Sequence, residues 1–429
     1  MIQKQKWQQP PQVNKIIEPK LPGIKKYNLQ NNLAVYELRA GIQPVIKVEV
    51  LFRAGRPFEH RAQVARFTNH LMREGTLSMS GNDIAERIDF CGSTLIISES
   101  MDYSGFVLYC LKKHLKKTLP ILLDIICNPA FEYEELRRFK KNAKEKLSHD
   151  LGKNDFLAYR QITDLVFGGE STYGYNSNKL IIDAIQVEDL RQHYDANYRS
   201  GNAFALVSGK TDVKTMDYIT KELERIPYGQ KVVPTYTDGE PQQPGLYKTH
   251  SSKSHQSAVR FGKRSVTKGH EDFNGLYILN TILGGYFGSR LMNSLREESG
   301  YTYNVYSSLD TMLYDSAFLI SMETDPEYVY QSIDMVKKEL LALQTNQVED
   351  DELEMVKSYL SGYFLTALDG PLNASELIKS IYMDELDESS FDGLIQKVTH
   401  VTKEEIQQFA QRYIDPDSFI ILVVGQEKE

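Results

Sequence analysis

Two blocks of this 429-residue sequence recur in the same order at nearly the same distance, and that repetition restricts the fold more than any single motif. Glu188-Asp189-Leu190 with Gln192, followed by Leu206 to Gly209, reappears as Glu404-Glu405-Ile406 with Gln408, followed by Leu422 to Gly425, at an offset of 216. Upstream, Glu134-Glu135-Leu136 with Lys140 matches Asp351-Glu352-Leu353 with Lys357 at an offset of 217. This period is far too long for small stacked repeats, so it indicates one domain of about 200 residues present twice. Between the copies, Glu222 to Tyr247 holds Pro227, Gly229, Pro234, Gly239, Pro241, Pro244 and Gly245, the composition of a linker. The expected division is an N-terminal arm over 1–26, a first domain over 27–221, a linker over 222–246 and a second domain over 247–429.

Within the first copy the pattern changes period. From Leu29 to Phe52 it is strand-like: Ile46, Val48, Val50 and Phe52 alternate with Lys47, Glu49 and Leu51, as in a strand with one wet face. Helical spacing follows around Arg61 to Arg73, around Asn82 to Phe90, and from Glu134 to about Leu151. Strand runs with intervening helices predict an α+β fold, each domain an antiparallel sheet packed with helices. No glycine-rich phosphate loop follows a strand; Leu283 to Gly288 has glycines but neither the spacing nor the lysine.

Composition removes several functions. A net charge of -8 argues against nucleic acid, which needs a basic face. The Lys112 to Lys117 run reads as a solvated basic face. Cys91, Cys110 and Cys127 are an odd, widely spaced set and read as reduced, buried thiols. No window approaches a membrane span, and Met1 to Lys20 lacks an apolar core for a signal peptide. The expectation is cytoplasmic residence without membrane contact; removal of a leader would leave the periplasm open.

The chemistry concentrates in Arg66-Phe67-Thr68-Asn69-His70, followed by Glu74-Gly75-Thr76. In the inverted zinc motif His-x-x-Glu-His, two imidazoles and a general-base carboxylate share one helix face. Here Arg66 occupies the first imidazole position and Asn69 the base position; only His70 remains. Two further stretches carry a resemblance. Val50 to Glu59 is similar to a strand ending in Gly-Ser-Arg-x-Glu, and Leu283 to Leu291 with Leu295 to Tyr303 is similar to a recognisable C-terminal block. Together they resemble the pitrilysin or insulinase-like metallopeptidases, in the subgroup with half-size subunits, over nearly the whole chain after Leu29.

The resemblance implies half of a clamshell around a chamber for unfolded peptides. It implies zinc held by two histidines and a distal glutamate, which would fall near Glu145, and an arginine and tyrosine seven apart, here Arg296 and Tyr303, that reach the substrate backbone. A catalytic zinc needs about three protein ligands and an open position. Arg66 cannot ligate and Asn69 cannot take a proton from water, so no complete catalytic or metal site is expected in this chain. Glu145, within Lys144-Glu145-Lys146, also reads as a solvated helix position. Tyr301 and Tyr306 read as packing residues, and His250 and His255 as no metal pair. His149, Asp150 and Asp155 read as helix-end groups.

The leading expectation is therefore a non-catalytic subunit that joins a zinc-bearing homologue, the zinc lying in that partner. Two alternatives stand beside it: a catalytically dead structural or peptide-binding homologue acting as a homodimer, and an enzyme with a rearranged metal site around His70, Glu145 and His149.

Overall fold

A computed structural model describes residues 18–251 and 255–426. The part of the expected arm over 1–17 lies outside them. The first half runs β1 (Lys25–Asn28), β2 (Ala34–Arg39), β3 (Val45–Phe52), α1 (Val64–Arg73), α2 (Gly81–Phe90), β4 (Thr94–Glu99) and β5 (Ser104–Leu111). It continues through α3 (Leu115–Cys127), α4 (Tyr133–Asp150), α5 (Asn154–Phe167), α6 (Lys179–Ala184), α7 (Val187–Asn197), β6 (Ala203–Gly209) and α8 (Val213–Leu223). The second half contains β7 (Gly245–His250), β8 (Ser257–Arg264), α9 (Phe273–Asn280), β9 (Thr302–Thr311), β10 (Ser316–Thr324) and α10 (Val329–Thr345). It ends with α11 (Asp350–Ala367), α12 (Pro371–Met383), α13 (Ser389–His400), α14 (Lys403–Tyr413) and β11 (Ile420–Gly425).

The fold is α+β, with two sheets. Their strand orders are β1-β2-β6-β3-β5-β4 and β7-β11-β8-β10-β9, so that, β1 aside, each strand of the first has a counterpart in the second. Neither sheet is wholly antiparallel. The closing strand of each half runs parallel to the first long strand, β2 with β6 and β7 with β11, and antiparallel to the next. The recurring acidic block has a local cause. Asp189 accepts from the Gln186 N–H and Glu405 from the Thr402 N–H, so each carboxylate satisfies a backbone donor at the start of α7 or α14.

The halves exchange helices. Ala158, Ile162 and Val166 of α5, from the first half, pack on Ala258, Ala317, Leu319, Leu422 and Val424 of the second sheet. In return, Ala374 and Ile378 of α12 pack on Leu38, Leu51, Phe204 and Leu206 of the first sheet. This corrects the reading of β3 as a strand with a wet face. Lys47 and Glu49 are both 0% exposed. They pair with each other at 2.8 Å, while α12 supplies Glu376 to Lys47 and Lys379 to Glu49, the latter at 3.1 Å. The alternation is real, but its polar face meets a charged helix and not water.

The proline-dotted tract is stitched down along its length. Val232 donates to Asn202 Oδ1, Thr235 to the Pro57 carbonyl and Gln242 to the Leu165 carbonyl. Lys112–His114 forms a short 3-10 turn ahead of α3, so the basic run straddles a helix start. No described helix is long and apolar enough to cross a membrane.

The exchange sets a packing test. A Cβ on Gly262 of β8 would lie 2.7 Å from Ile162 Cγ1 and 2.9 Å from Val166 Cγ2, so α5 sits where only glycine allows. Gly262→Val should cost about 1–3 kcal/mol, read as a lowered urea midpoint. Gly362→Ala, in α11 with nothing within 4 Å, should be neutral or stabilise by up to about 1 kcal/mol.

Candidate functional site

Helix α1 starts abruptly. Gln63 precedes it with φ 70°, in the left-handed region. The first-turn N–H of Ala65 is satisfied by Glu59 Oε1 at 2.9 Å, a carboxylate brought back from the end of the preceding turn. Glu59 Oε2 accepts from the Tyr175 hydroxyl at 2.7 Å, and that hydroxyl accepts from the Gln63 N–H at 3.2 Å. Burial pushes the Glu59 carboxyl up to about 7 against these hydrogen bonds. Nearby, burial pushes Asp102 up to about 6; it accepts from the Tyr173 hydroxyl and from Leu313 N–H of the second half.

The three motif positions of α1 face the end of β4. Asn69 is fully buried and donates from Nδ2 to the Ser98 carbonyl at 3.0 Å. Glu99 lies 2.9 Å from His70 Nε2 and 3.7 Å from Arg66 Nε. The His70 ring also lies against Phe139 of α4, centroids 5.1 Å apart. Glu145 is not drawn to this cluster. It lies six residues beyond Phe139, on a different face of α4, two-thirds exposed, with Lys141 at 4.0 Å. His149 does not complete a set either: among the described residues no group of three His, Cys, Asp or Glu side chains is placed to hold a metal ion. A guanidinium, a committed amide and a carboxylate-paired imidazole do not form a zinc donor set.

Arg296 and Tyr303 are brought together on the second half. Arg296 lies in a π-helical turn, Met292–Glu298, and Tyr303 near the start of edge strand β9. The guanidinium sits 5.2 Å from the Tyr303 ring centre and 4.8 Å from that of Phe287, with Glu297 at 3.6 Å. Tyr303 is 82% exposed. Tyr301 stacks on Tyr328 at 4.9 Å, while Tyr306 is half-exposed and not a packing residue. At the other expected helix-end groups, Asp150 pairs with Lys153 at 2.9 Å and Asp155 with the buried Arg260. His250 ends β7.

Two family descriptions match these two regions. Residues 41–156, which carry α1, match "Insulinase (Peptidase family M16)", and residues 184–360, which carry Arg296 and Tyr303, match "Peptidase M16 inactive domain". The chain belongs to the insulinase-like M16 peptidase family. The "Uncharacterized zinc protease YmxG" of Bacillus subtilis is 22% identical over 407 residues, spanning 93% of this chain and 98% of that M16 relative. A Helicobacter pylori relative described as "Non-peptidase homolog YmxG" is 20% identical, with 90% of each chain covered. Among solved structures, an M16 inactive domain from Pseudomonas fluorescens superposes with a TM-score of 0.87 at 20% identity, covering 95% of this chain and 98% of that one. These likenesses match the duplicated half-size M16 fold.

Sequence reasoning missed Glu99, which engages both His70 and Arg66, and it assigned no role to Glu59, Tyr175, Arg56 or Arg160. Glu99 carries no local signal, because its partners lie 29 and 33 residues away, on α1.

The raised carboxyl of Glu59 has a measurable sign. A carboxyl whose folded pKa exceeds its unfolded value of about 4.5 contributes most below that value and loses the contribution as pH rises through about 7. Glu59→Gln should therefore gain stability relative to wild type by about 1–3 kcal/mol between pH 5 and pH 8, measured by urea denaturation at each pH. An unchanged difference across that range would show that Glu59 ionises normally.

Proposed function

We propose that this chain is the non-catalytic subunit of a two-chain zinc metallopeptidase, contributing Arg296, Tyr303 and part of a peptide-binding chamber. The observation that carries the reading is an asymmetry between the two motifs. On α1 the groups at the catalytic positions are turned to internal contacts: Asn69 to the Ser98 carbonyl and His70 to Glu99. On the second half, Tyr303 stands in solvent with Arg296 beside it, and among the described residues Arg296 meets no carboxylate closer than Glu297 at 3.6 Å.

Each group has a definite use. A guanidinium offers several N–H donors in a rigid fork and can hold a peptide carbonyl. A tyrosine hydroxyl can donate to an oxygen that gains negative charge. The ring of Phe287 adds an aromatic surface next to that pair, and the adjoining Tyr286 lies 4.7 Å from Tyr359. Activation of water would belong to the metal of the zinc-bearing homologue, since Asn69 has no basicity for it.

Mixing this chain with a zinc-bearing half-size homologue should give peptidase activity well above either chain alone, followed with a quenched fluorescent peptide. Arg296→Ala in the mixture should lower kcat/KM by roughly tenfold or more while leaving the thermal midpoint of this chain unchanged. A mixture with R296A that is as active as wild type would remove Arg296 from the proposal. Peptide binding without any gain in hydrolysis would favour the alternative of a homodimeric, catalytically dead homologue; the Helicobacter pylori relative is itself described as a non-peptidase homolog.

A further inference from the structure

A cavity of about 540 Å³ opens beside the eroded motif, between the start of α1, the end of β4 and α5. Three arginines line it: Arg56, Arg66 and Arg160. One carboxylate, Glu99, is also on the wall, and it is divided between Arg66 at 3.7 Å and His70 at 2.9 Å. Arg56 donates to the Tyr173 and Tyr175 carbonyls and lies over the Tyr175 ring at 4.2 Å. Arg160 donates to the Ser177 carbonyl and hydroxyl. These acceptors are neutral, and among the described residues neither Arg56 nor Arg160 has a carboxylate oxygen within salt-bridge distance. Burial, and then the charge of Arg56, hold Arg160 below the usual arginine range, as expected for a cation that lacks a counter-ion.

The wall is held in place. Arg56 is fixed by the two tyrosine carbonyls, and the Tyr175 hydroxyl is anchored on Glu59. Gly55 lets this strand end approach the Met101 carbonyl, where a Cβ would come within 2.2 Å. Phe156 and Tyr159 of α5 add rings to an otherwise polar rim. The volume is in the range of a ligand pocket and exceeds what a bare inorganic anion fills. Planar guanidinium forks match the geometry of a carboxylate, and the rings would take the carbon skeleton next to it.

We infer that this cavity is a binding site for a carboxylate carried on a peptide, with Arg160 and Arg66 as its principal cationic contacts. Among the described residues Arg160 has no carboxylate partner, and Glu99 holds Arg66 only at 3.7 Å while lying closer to His70. Arg56, pinned on two carbonyls, backs them. Arg66 thus gains a positive role at the position where a zinc enzyme of this family would have an imidazole. The site needs neither metal nor partner, so it stands or falls separately from the two-chain peptidase reading. The carboxylate can come from the C-terminus of a peptide or from an Asp or Glu side chain, and both present the same group to the fork.

The test uses the full chain alone and a fluorescent, short, otherwise neutral peptide in three forms: free C-terminal acid, C-terminal amide, and amide with one internal Glu. Anisotropy titrations at low and high salt give the affinities. At least one acidic form should bind about tenfold or more tighter than the neutral amide, and weaken with salt. The tighter of the two acidic forms identifies the source of the carboxylate. Arg66→Gln should remove most of that preference and Arg66→Lys should restore part of it. Arg160→Gln is the second variant should R66Q fail to fold. Equal binding of all three forms would overturn the inference, and so would a preference unaltered in folded R66Q and R160Q. Inorganic phosphate displacing the acidic peptide at equal concentration would also overturn it, as a site for small anions in general.

Discussion

The exchange of α5 and α12 between the two halves is the constraint on which the rest of this structure depends. Each sheet has an inner face covered by helices of its own half and an outer face covered by a helix of the other. The two exchanged helices start at Asn154 and Pro371, at the 217-residue offset of the duplication, so one device operates twice. The two exchanges differ in emphasis. The α5 contact is mainly apolar and close enough to require Gly262, with one ion pair from Asp155 to the buried Arg260 of β8. The α12 contact adds the buried charges of Lys47 and Glu49, met by the more exposed Glu376 and Lys379, and the four have meaning only in register with one another.

That frame positions both candidate sites. Helix α1 lies on the inner side of the first sheet and faces the end of edge strand β4, which is why Asn69 and His70 meet Ser98 and Glu99. The turn carrying Arg296 lies against β9, the equivalent edge of the second sheet. Helix α5 serves two purposes, sealing the second sheet with Ile162 and Val166 while offering Arg160 to the cavity beside α1. The basic cavity is therefore a by-product of the same exchange that joins the halves.

The sequence was legible where its signals were local. The duplication shows because capping carboxylates and a closing apolar strand are short, contiguous features, and both recur. Arg296 and Tyr303 were singled out through the resemblance carried by the contiguous Leu295 to Tyr303 stretch, and the structure places the two side chains together. Lys47 and Glu49 were visible as the polar phase of β3, yet alternation cannot distinguish a face open to water from one met by a charged helix over 300 residues away. The Glu99 cluster and the cavity arginines were hidden for a related reason: each depends on partners from separate elements, and no spacing rule links them. The shift from two antiparallel sheets to sheets with one parallel pair each likewise depends on where the closing strand inserts, which composition does not encode.

The buried pairing of β3 with α12 also orders events during synthesis. Lys47 and its hydrogen-bond partner Ser375 are 328 residues apart. When the first half leaves the ribosome, the helix that covers the outer face of its sheet has not yet been made. Until α12 arrives, Lys47 and Glu49 stay hydrated, while Leu38, Leu51, Phe204 and Leu206 remain open to other chains. The nascent protein thus passes through a long interval with a mixed charged and apolar surface, and that interval is when aggregation competes most with folding.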